Sequence, residues 1–196
     1  MTVFETPRAG EFMALLQARV PESTRRHILS VTEFMADFAG ALGVSPEQVA
    51  AAGLLHDLCK AVPGPELLTR AEAYKLDITP LQRQIPYLLH GPVAAEECRR
   101  ELSVDDPEVL EAVACHTTGR PGLGMTGLAL YLADFAEPLR AIPQAAEARA
   151  VLARDGFDAA LRYATREKLN YVQAQSTVDP MTAAFAAWLD GAERIG

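Results

Sequence analysis

SPEQVAAAGLLHDLCK, Ser45 to Lys60, decides how this chain is read. Ser45 offers a side-chain oxygen to cap a helix. Pro46 suits the first helical position, where its missing N–H would have had no partner anyway. The Ala, Gly and Leu run that follows reads as the buried face of a helix predicted to reach about Lys60, with Pro63 and Pro65 stopping it. His56, Asp57 and Lys60 interrupt that apolar run. An unpaired carboxylate away from water costs several kcal/mol or shifts its pKa until it is neutral, so partners for these groups must come from elsewhere in the chain.

The same punctuation recurs on both sides. A short helix is expected over Gly10 to Val20, and Pro21 with Ser23 introduces a longer one to about Leu42, ended by Gly43. A shorter helix near Glu66 to Tyr74 precedes an irregular stretch around Pro80 to Pro86. His90-Gly91-Pro92 then begins a helix ending near Leu102, and Asp106-Pro107-Glu108 repeats the cap-and-proline pattern for a helix reaching Cys115 and His116. Thr117 to Gly127 (TTGRPGLGMTG) is a loop by its glycines and proline; Leu128 to Glu137 and the Ala-rich segment from Gln144 return to helix. Ser176 to Pro180 reads as a turn before a last amphipathic helix carrying Phe185, Trp188 and Leu189. Alternating β-branched runs are nearly absent, so the fold class is all-α.

A length of 196 residues suits one domain with a substantial core, taken here as a helical extension over 1–20 and a main unit over 21–196 that includes C-terminal helices. No apolar segment reaches the roughly 18 residues needed to span a bilayer, and the N-terminus lacks the basic and apolar regions of a signal peptide. The expected location is the cytoplasm. Three cysteines without a CxxC pair argue against a disulfide framework or a structural zinc site. A net charge of -8 disfavours nucleic acid and anionic membranes as partners, while leaving room for a small anion held by a local cluster of cations or metal ions. Oligomer formation stays open.

The chain has four histidines, His27, His56, His90 and His116, each at or near a predicted helix. Asp57 follows one of them and Asp134 sits in the apolar helix YLADFAEP. One of these residues alone would be read as a satisfied core or capping group; together they make six potential ligands. Imidazole and carboxylate without thiolate suit Fe, Mn, Co or Zn, with Mg where oxygen dominates. Six ligands that include a carboxylate able to bridge could hold two ions, the arrangement used in phosphoryl hydrolysis.

The order His27, His56-Asp57 and a late Asp134 resembles the HD-domain superfamily of metal-dependent phosphohydrolases. GLLHDLCK, LLHGPVAAE, CHTTGRPG and YLADFAEPLR resemble more closely the YqeK family of bacterial symmetrical bis(5′-nucleosyl)-tetraphosphatases, over roughly His27 to Arg140. The resemblance implies a single all-α HD-domain bundle, bound iron, and a nucleoside diphosphate product lying against the metal. It implies His27, His56, Asp57 and Asp134 as metal ligands. It leaves His90 and His116 to bind a second ion or to contact phosphate. Cys59 and the STRRH approach to His27 depart from the family's wording without touching a ligand position.

The neighbouring residues fit such a role. Lys60, one turn beyond His56, could neutralise a phosphate oxygen, and Arg120 and Arg140 offer planar forks for phosphate, against the plain alternative of surface cations. Thr117 and Thr118 could donate to phosphate or merely end a helix. Tyr87, Tyr131 and Tyr171 could stack on a base, with core packing as the competing assignment. The expected activity is metal-dependent hydrolysis of dinucleoside tetraphosphates to two nucleoside diphosphates. Asp57, Lys60, His90 and His116 are its candidate catalytic residues, and His90, His116, Thr117, Thr118, Arg120 and Arg140 its candidate substrate contacts. The alternatives are another HD-domain nucleotide phosphohydrolase, such as a 5′-nucleotidase or phosphodiesterase, and a non-catalytic nucleotide sensor.

Overall fold

The computed structural model describes residues 2–175, 177–192 and 195, and among these residues it is all helix and connection, with no strand. After α1 (Ala9–Arg19) and α2 (Glu22–Ala39) come α3 (Pro46–Leu55), α4 (Gly64–Ala73) and the short α5 (Pro80–Gln84). They are followed by α6 (His90–Glu101), α7 (Pro107–Cys115), α8 (Met125–Ala136), α9 (Pro143–Asp155), α10 (Phe157–Gln175) and α11 (Pro180–Gly191). Ser45 accepts from the Gln48 N–H at the start of α3, while Gln48 returns a bond to the Ser45 N–H. Asp106 caps α7 through the Glu108 N–H.

The centre of the molecule is α8. Every residue from Thr126 to Ala136 is buried, as expected of a helix that is apolar on all sides, and α2, α3, α7, α9 and α10 pack around it. α2 turns a single stripe inward, Ile28, Val31, Met35 and Ala39, at the spacing of a half-buried helix. Phe12 and Leu16 of α1 belong to the same core cluster, so the N-terminal helix shares the interior of the rest. α11 closes the far side with Phe185 and Leu189. Its Phe185 ring packs where a Cβ on Gly119 would stand, and Gly119 has φ of +66°.

α8 begins three residues earlier than expected, at Met125 rather than Leu128, and three further stretches differ. The α-helix carrying the opening motif stops at Leu55 rather than Lys60. From there the backbone tightens into successive i→i+3 turns, with Leu58 N–H bonding Leu55, Lys60 bonding Asp57 and Val62 bonding Cys59. Pro80 to Pro86 is not irregular: Thr79 caps α5 through the Gln82 N–H, and a 3₁₀ turn, Pro86–Leu89, leads into α6. The Ala-rich segment is two helices, broken at Gly156 with φ of +87°. Of the expected turn at Ser176 to Pro180, Ser176 lies outside the described residues, and Asp179 caps α11 through the Met181 N–H. No helix among the described residues is long and apolar enough to cross a membrane.

Candidate metal centre

Two close helix crossings assemble the site. Where α3 meets α2, a Cβ on Gly53 would come within 2.6 Å of Thr32 Oγ1, so only glycine permits the approach that sets His56 beside His27, ring centroids 5.6 Å apart. Where α6 meets α7, a Cβ on Gly91 would lie 2.9 Å from the Val113 and Ala114 carbonyls. That crossing sets His90 against His116 at 4.9 Å. The GLLHD and HGP motifs therefore pair His56 and His90 with the glycine that lets the helix of each come close. All six candidate ligands converge: His56 and Asp57 are fully buried, His90, His116 and Asp134 nearly so, and His27 retains 15% side-chain exposure.

Asp57 lies between the two pairs. Its Oδ2 is 3.4 Å from Nε2 of both His27 and His56, and its Oδ1 is 3.4 Å from Nε2 of both His90 and His116. Asp134 Oδ1 approaches His27 Nε2 at 3.1 Å, and the Nε2 atoms of His90 and His116 stand 3.0 Å apart.

The other ring nitrogen fixes what these Nε2 atoms are. Nδ1 of His56, His90 and His116 lies 2.7, 2.6 and 2.8 Å from the carbonyls of Gly53, Tyr87 and Val113, in each case three residues back. A carbonyl only accepts, so Nδ1 carries a proton and Nε2 is the atom each ring turns inward, as a lone pair whenever the ring has a single proton. His27 Nδ1 instead faces Glu137 Oε1 at 3.1 Å. Four lone pairs and two carboxylates thus face one another. His27 Nε2, His56 Nε2 and Asp57 Oδ1 have no hydrogen-bond partner although buried. Buried acceptors left unmatched cost about 1–3 kcal/mol each, which a cation among them would offset. The spacing fits one: ligand atoms on an ion with bonds of about 2.1 Å stand roughly 3.0–3.4 Å apart at octahedral to tetrahedral angles. His27, His56 and Asp57 form one such group, and Asp57, His90 and His116 a second.

Charge supports the same assignment. In the metal-free protein burial alone would raise Asp57, but a charged His56 beside it and Nε2 protons on His116, His56 and His90 hold it well below the usual carboxylate range, and those inward protons occupy the places a cation would take. Burial would likewise raise Asp134, which Lys168, His27 and Arg140 hold well below it. Both acids are held as carboxylates, the form in which a metal would be bound. Burial pushes Lys168 below its ordinary value against the pull of Asp134, whereas Lys60 ends above its own, burial being outweighed by Asp57 and Asp134.

A cleft of about 890 Å³ opens onto this centre. Lys60, His116, Thr117, Thr118, Asp134 and Arg140 line it. Lys60 Nζ donates to Asp57 Oδ2 at 2.5 Å, Arg140 donates to Asp134 Oδ1 at 3.0 Å with its Nε unpartnered, and Thr117 Oγ1 lies 3.1 Å from His116 Nε2. Arg120 is not brought into the cleft; it pairs with Glu111 at 2.8 Å, because the TTGRP loop turns it back along α7. Tyr131 is buried in the core, while Tyr87 and Tyr171 line the cleft. Two residues were missed by reading the sequence. Lys168 lies 3.4 Å from Asp134 Oδ2, over the Tyr131 ring. Buried Glu137 fixes His27 while accepting from Ser30 and the Leu139 N–H, both at 2.6 Å. The signal for Lys168 is its place on the buried stripe of α10, four residues after Ala164 and seven after Leu161. The signal for Glu137 is its place inside the YLADFAEP motif itself.

A family model for the HD domain matches residues 24–160. The symmetrical bis(5′-nucleosyl)-tetraphosphatase of Bacillus subtilis is 28% identical over 179 residues, 91% of this chain and 96% of the relative. The protein of that name from Halalkalibacterium halodurans is 31% identical over 68% of this chain and 71% of its own length, and that from Staphylococcus aureus 34% identical over 66% of each. A crystal structure described as a predicted HD superfamily hydrolase involved in NAD metabolism, from Clostridium acetobutylicum, superposes with a TM-score of 0.86 at 25% identity, covering 92% of this chain and 96% of that one.

Proposed function

The chain belongs to the HD domain family and, within it, to the symmetrical bis(5′-nucleosyl)-tetraphosphatases, and from that premise we propose that it hydrolyses dinucleoside tetraphosphates at the central bridge to two nucleoside diphosphates. Diadenosine tetraphosphate is the substrate proposed. The observation that carries the reading is Asp57 with a histidine pair facing each of its oxygens, beneath a cleft whose inner wall bears Lys60, Arg140 and Lys168.

His27, His56, Asp57 and Asp134 would hold one ion, and Asp57, His90 and His116 could receive a second. Iron is the metal we propose, on the family resemblance; Mn, Co, Zn and Mg are alternatives that the same donors accept. When bound, the metal supplies Lewis acidity toward a phosphoryl oxygen and brings the pKa of water toward neutrality. The chain's own part is to receive and hold the anion. Lys60, Arg140 and Lys168 surround the inner cleft, and their charge offsets the negative charge spread over the phosphoryl oxygens as the bridge breaks. Thr117 has its hydroxyl against His90 and His116, within reach of an oxygen seated there. A neutralised diphosphate leaves readily, so the site does not require a strong general acid. Free thiols at Cys59, Cys98 and Cys115 accord with a cytoplasmic setting, which is part of this reading.

Chromatography of the products from diadenosine tetraphosphate tests the proposal. ADP alone is expected, with ¹⁸O from labelled water entering ADP. AMP with ATP would overturn symmetrical cleavage, and turnover confined to nucleoside monophosphates or phosphodiesters would return the protein to another branch of the family.

A further inference from the structure

The apolar exposure of this molecule collects at one place. Among the described residues, the exposed large hydrophobic side chains are Tyr87, Leu139, Ile142, Tyr171 and Met181. Tyr87, Ile142 and Tyr171 line the cleft over the metal centre, while Leu139 and Met181 adjoin Arg140 and Thr182, which also line it. Concentrated apolar surface at the rim of a charged pocket marks a place where a ligand is covered.

The cleft is divided along its length by chemistry. α10 presents Lys168 at the inner end, against Asp134, and Tyr171 one turn further out. Beyond Lys168 the wall carries no further cation. It carries Asn170, Tyr171 and Val172, and the lining away from the three cations also includes Thr177 and two acids, Glu167 and Asp179. Two carboxylates would repel additional phosphate, so whatever extends outward from the cations is uncharged. It has a flat apolar face to meet Tyr171 and Ile142, and polar edges to meet Asn170 and the acids. Tyr171 is 65% exposed, and its ring stacks on no aromatic group or cation among the described residues.

We propose that the outer half of the cleft is a nucleobase subsite in which Tyr171 stacks on one base of the dinucleotide while the phosphates lie inward at Lys168 and Arg140. This rests on the proposed function for its choice of ligand, and its test is separable from it. The measurement is equilibrium binding of ADP and of pyrophosphate to the metal-loaded protein, in wild type, Tyr171→Ala and Tyr171→Phe. Tyr171→Ala is expected to weaken ADP roughly 5- to 150-fold, the range for loss of one base–aromatic stack, and to leave pyrophosphate unchanged. Tyr171→Phe, which keeps the ring, should restore ADP binding. Unchanged ADP affinity in Tyr171→Ala would overturn the subsite while leaving symmetrical hydrolysis intact. Equal weakening of both probes would also overturn it, by showing general damage to the cleft, and so would failure of wild type to bind ADP more tightly than pyrophosphate. Base-dependent loss in a protein that turns over no dinucleoside tetraphosphate would instead sustain the subsite and refute the activity.

Discussion

His56, His90 and His116 take their orientation from their own stretch of chain, whereas His27 takes it from a residue 110 positions away. The first three each sit at the end of a helical segment, where a ring can turn back onto a carbonyl three residues earlier. His27 lies within α2, whose carbonyls are occupied by the helix ladder, so its Nδ1 proton needs an imported acceptor, Glu137. The difference teaches that three quarters of the imidazole set is organised as soon as its helices form, while the remaining ring is organised only by tertiary packing. A carboxylate also makes its imidazole more basic than a carbonyl does, so the two sides of Asp57 are unequal.

Asp57→Ala should have the largest effect, because it removes the one group shared by both histidine pairs. Metal content should fall to background and activity by at least about a thousandfold, with helical circular dichroism retained. An ion still bound at wild-type stoichiometry would show that the pairs do not depend on Asp57.

Glu137→Ala isolates His27 from the rest. Metal affinity is expected to fall about 10- to 100-fold, as for other removed histidine partners, with Glu137→Gln recovering most of it because the amide oxygen still accepts from Nδ1. Metal titration of the two variants is the measurement, and equal affinities in wild type and Glu137→Ala would make all four rings alike.

Gly91→Ala and Gly53→Ala probe the two crossings separately. Each adds one methyl against a neighbour already in place, at a cost of about 1–3 kcal/mol for overpacking, less up to about 1 kcal/mol of gained helix propensity. Both should lower Tm by a few degrees. Gly91→Ala should disturb the His90–His116 pair alone, and Gly53→Ala the His27–His56 pair alone, as read from histidine NMR shifts.

The smallest effect is in pH. Burial of His27 would lower its pKa, but Asp134 and Glu137 outweigh it and the net shift is upward. Metal-free protein therefore gains stability from protonated His27 below about pH 6.5, and loses it as pH rises through the folded pKa. A metal needs that ring unprotonated, so loading improves over the same interval. Tm against pH should slope downward without metal and upward with it; parallel slopes would remove His27 from the ligand set.

Much of this candidate site could be read in the sequence because its candidate ligands sit beside helix signals or in apolar runs. Proline and cap signals place His90 and His116 at helix ends, and His56, Asp57 and Asp134 stand out as polar groups in apolar runs. The early end of α3 could not be read, since the DLCK continuation is compatible with either an α-helix or 3₁₀ turns. Arg120 and Lys168 show the harder limit. A loop's arginine can face either way, and within Arg166-Glu167-Lys168 only the packing of α10 decides which side chain goes inward. For Tyr171, on the same helix, the sequence favours core packing, yet the ring faces the open cleft.

The helix ends that present His56 and His116 carry a further consequence. α3 and α7 both finish at the metal centre, so the carbonyl poles of two macrodipoles, each equivalent to about half a negative charge, converge there alongside two carboxylates. Lys60, Arg140 and Lys168 already face those carboxylates in the metal-free chain, each paired with Asp57 or Asp134. The backbone itself thus adds to the side chains' preference for a cation at this end of the cleft.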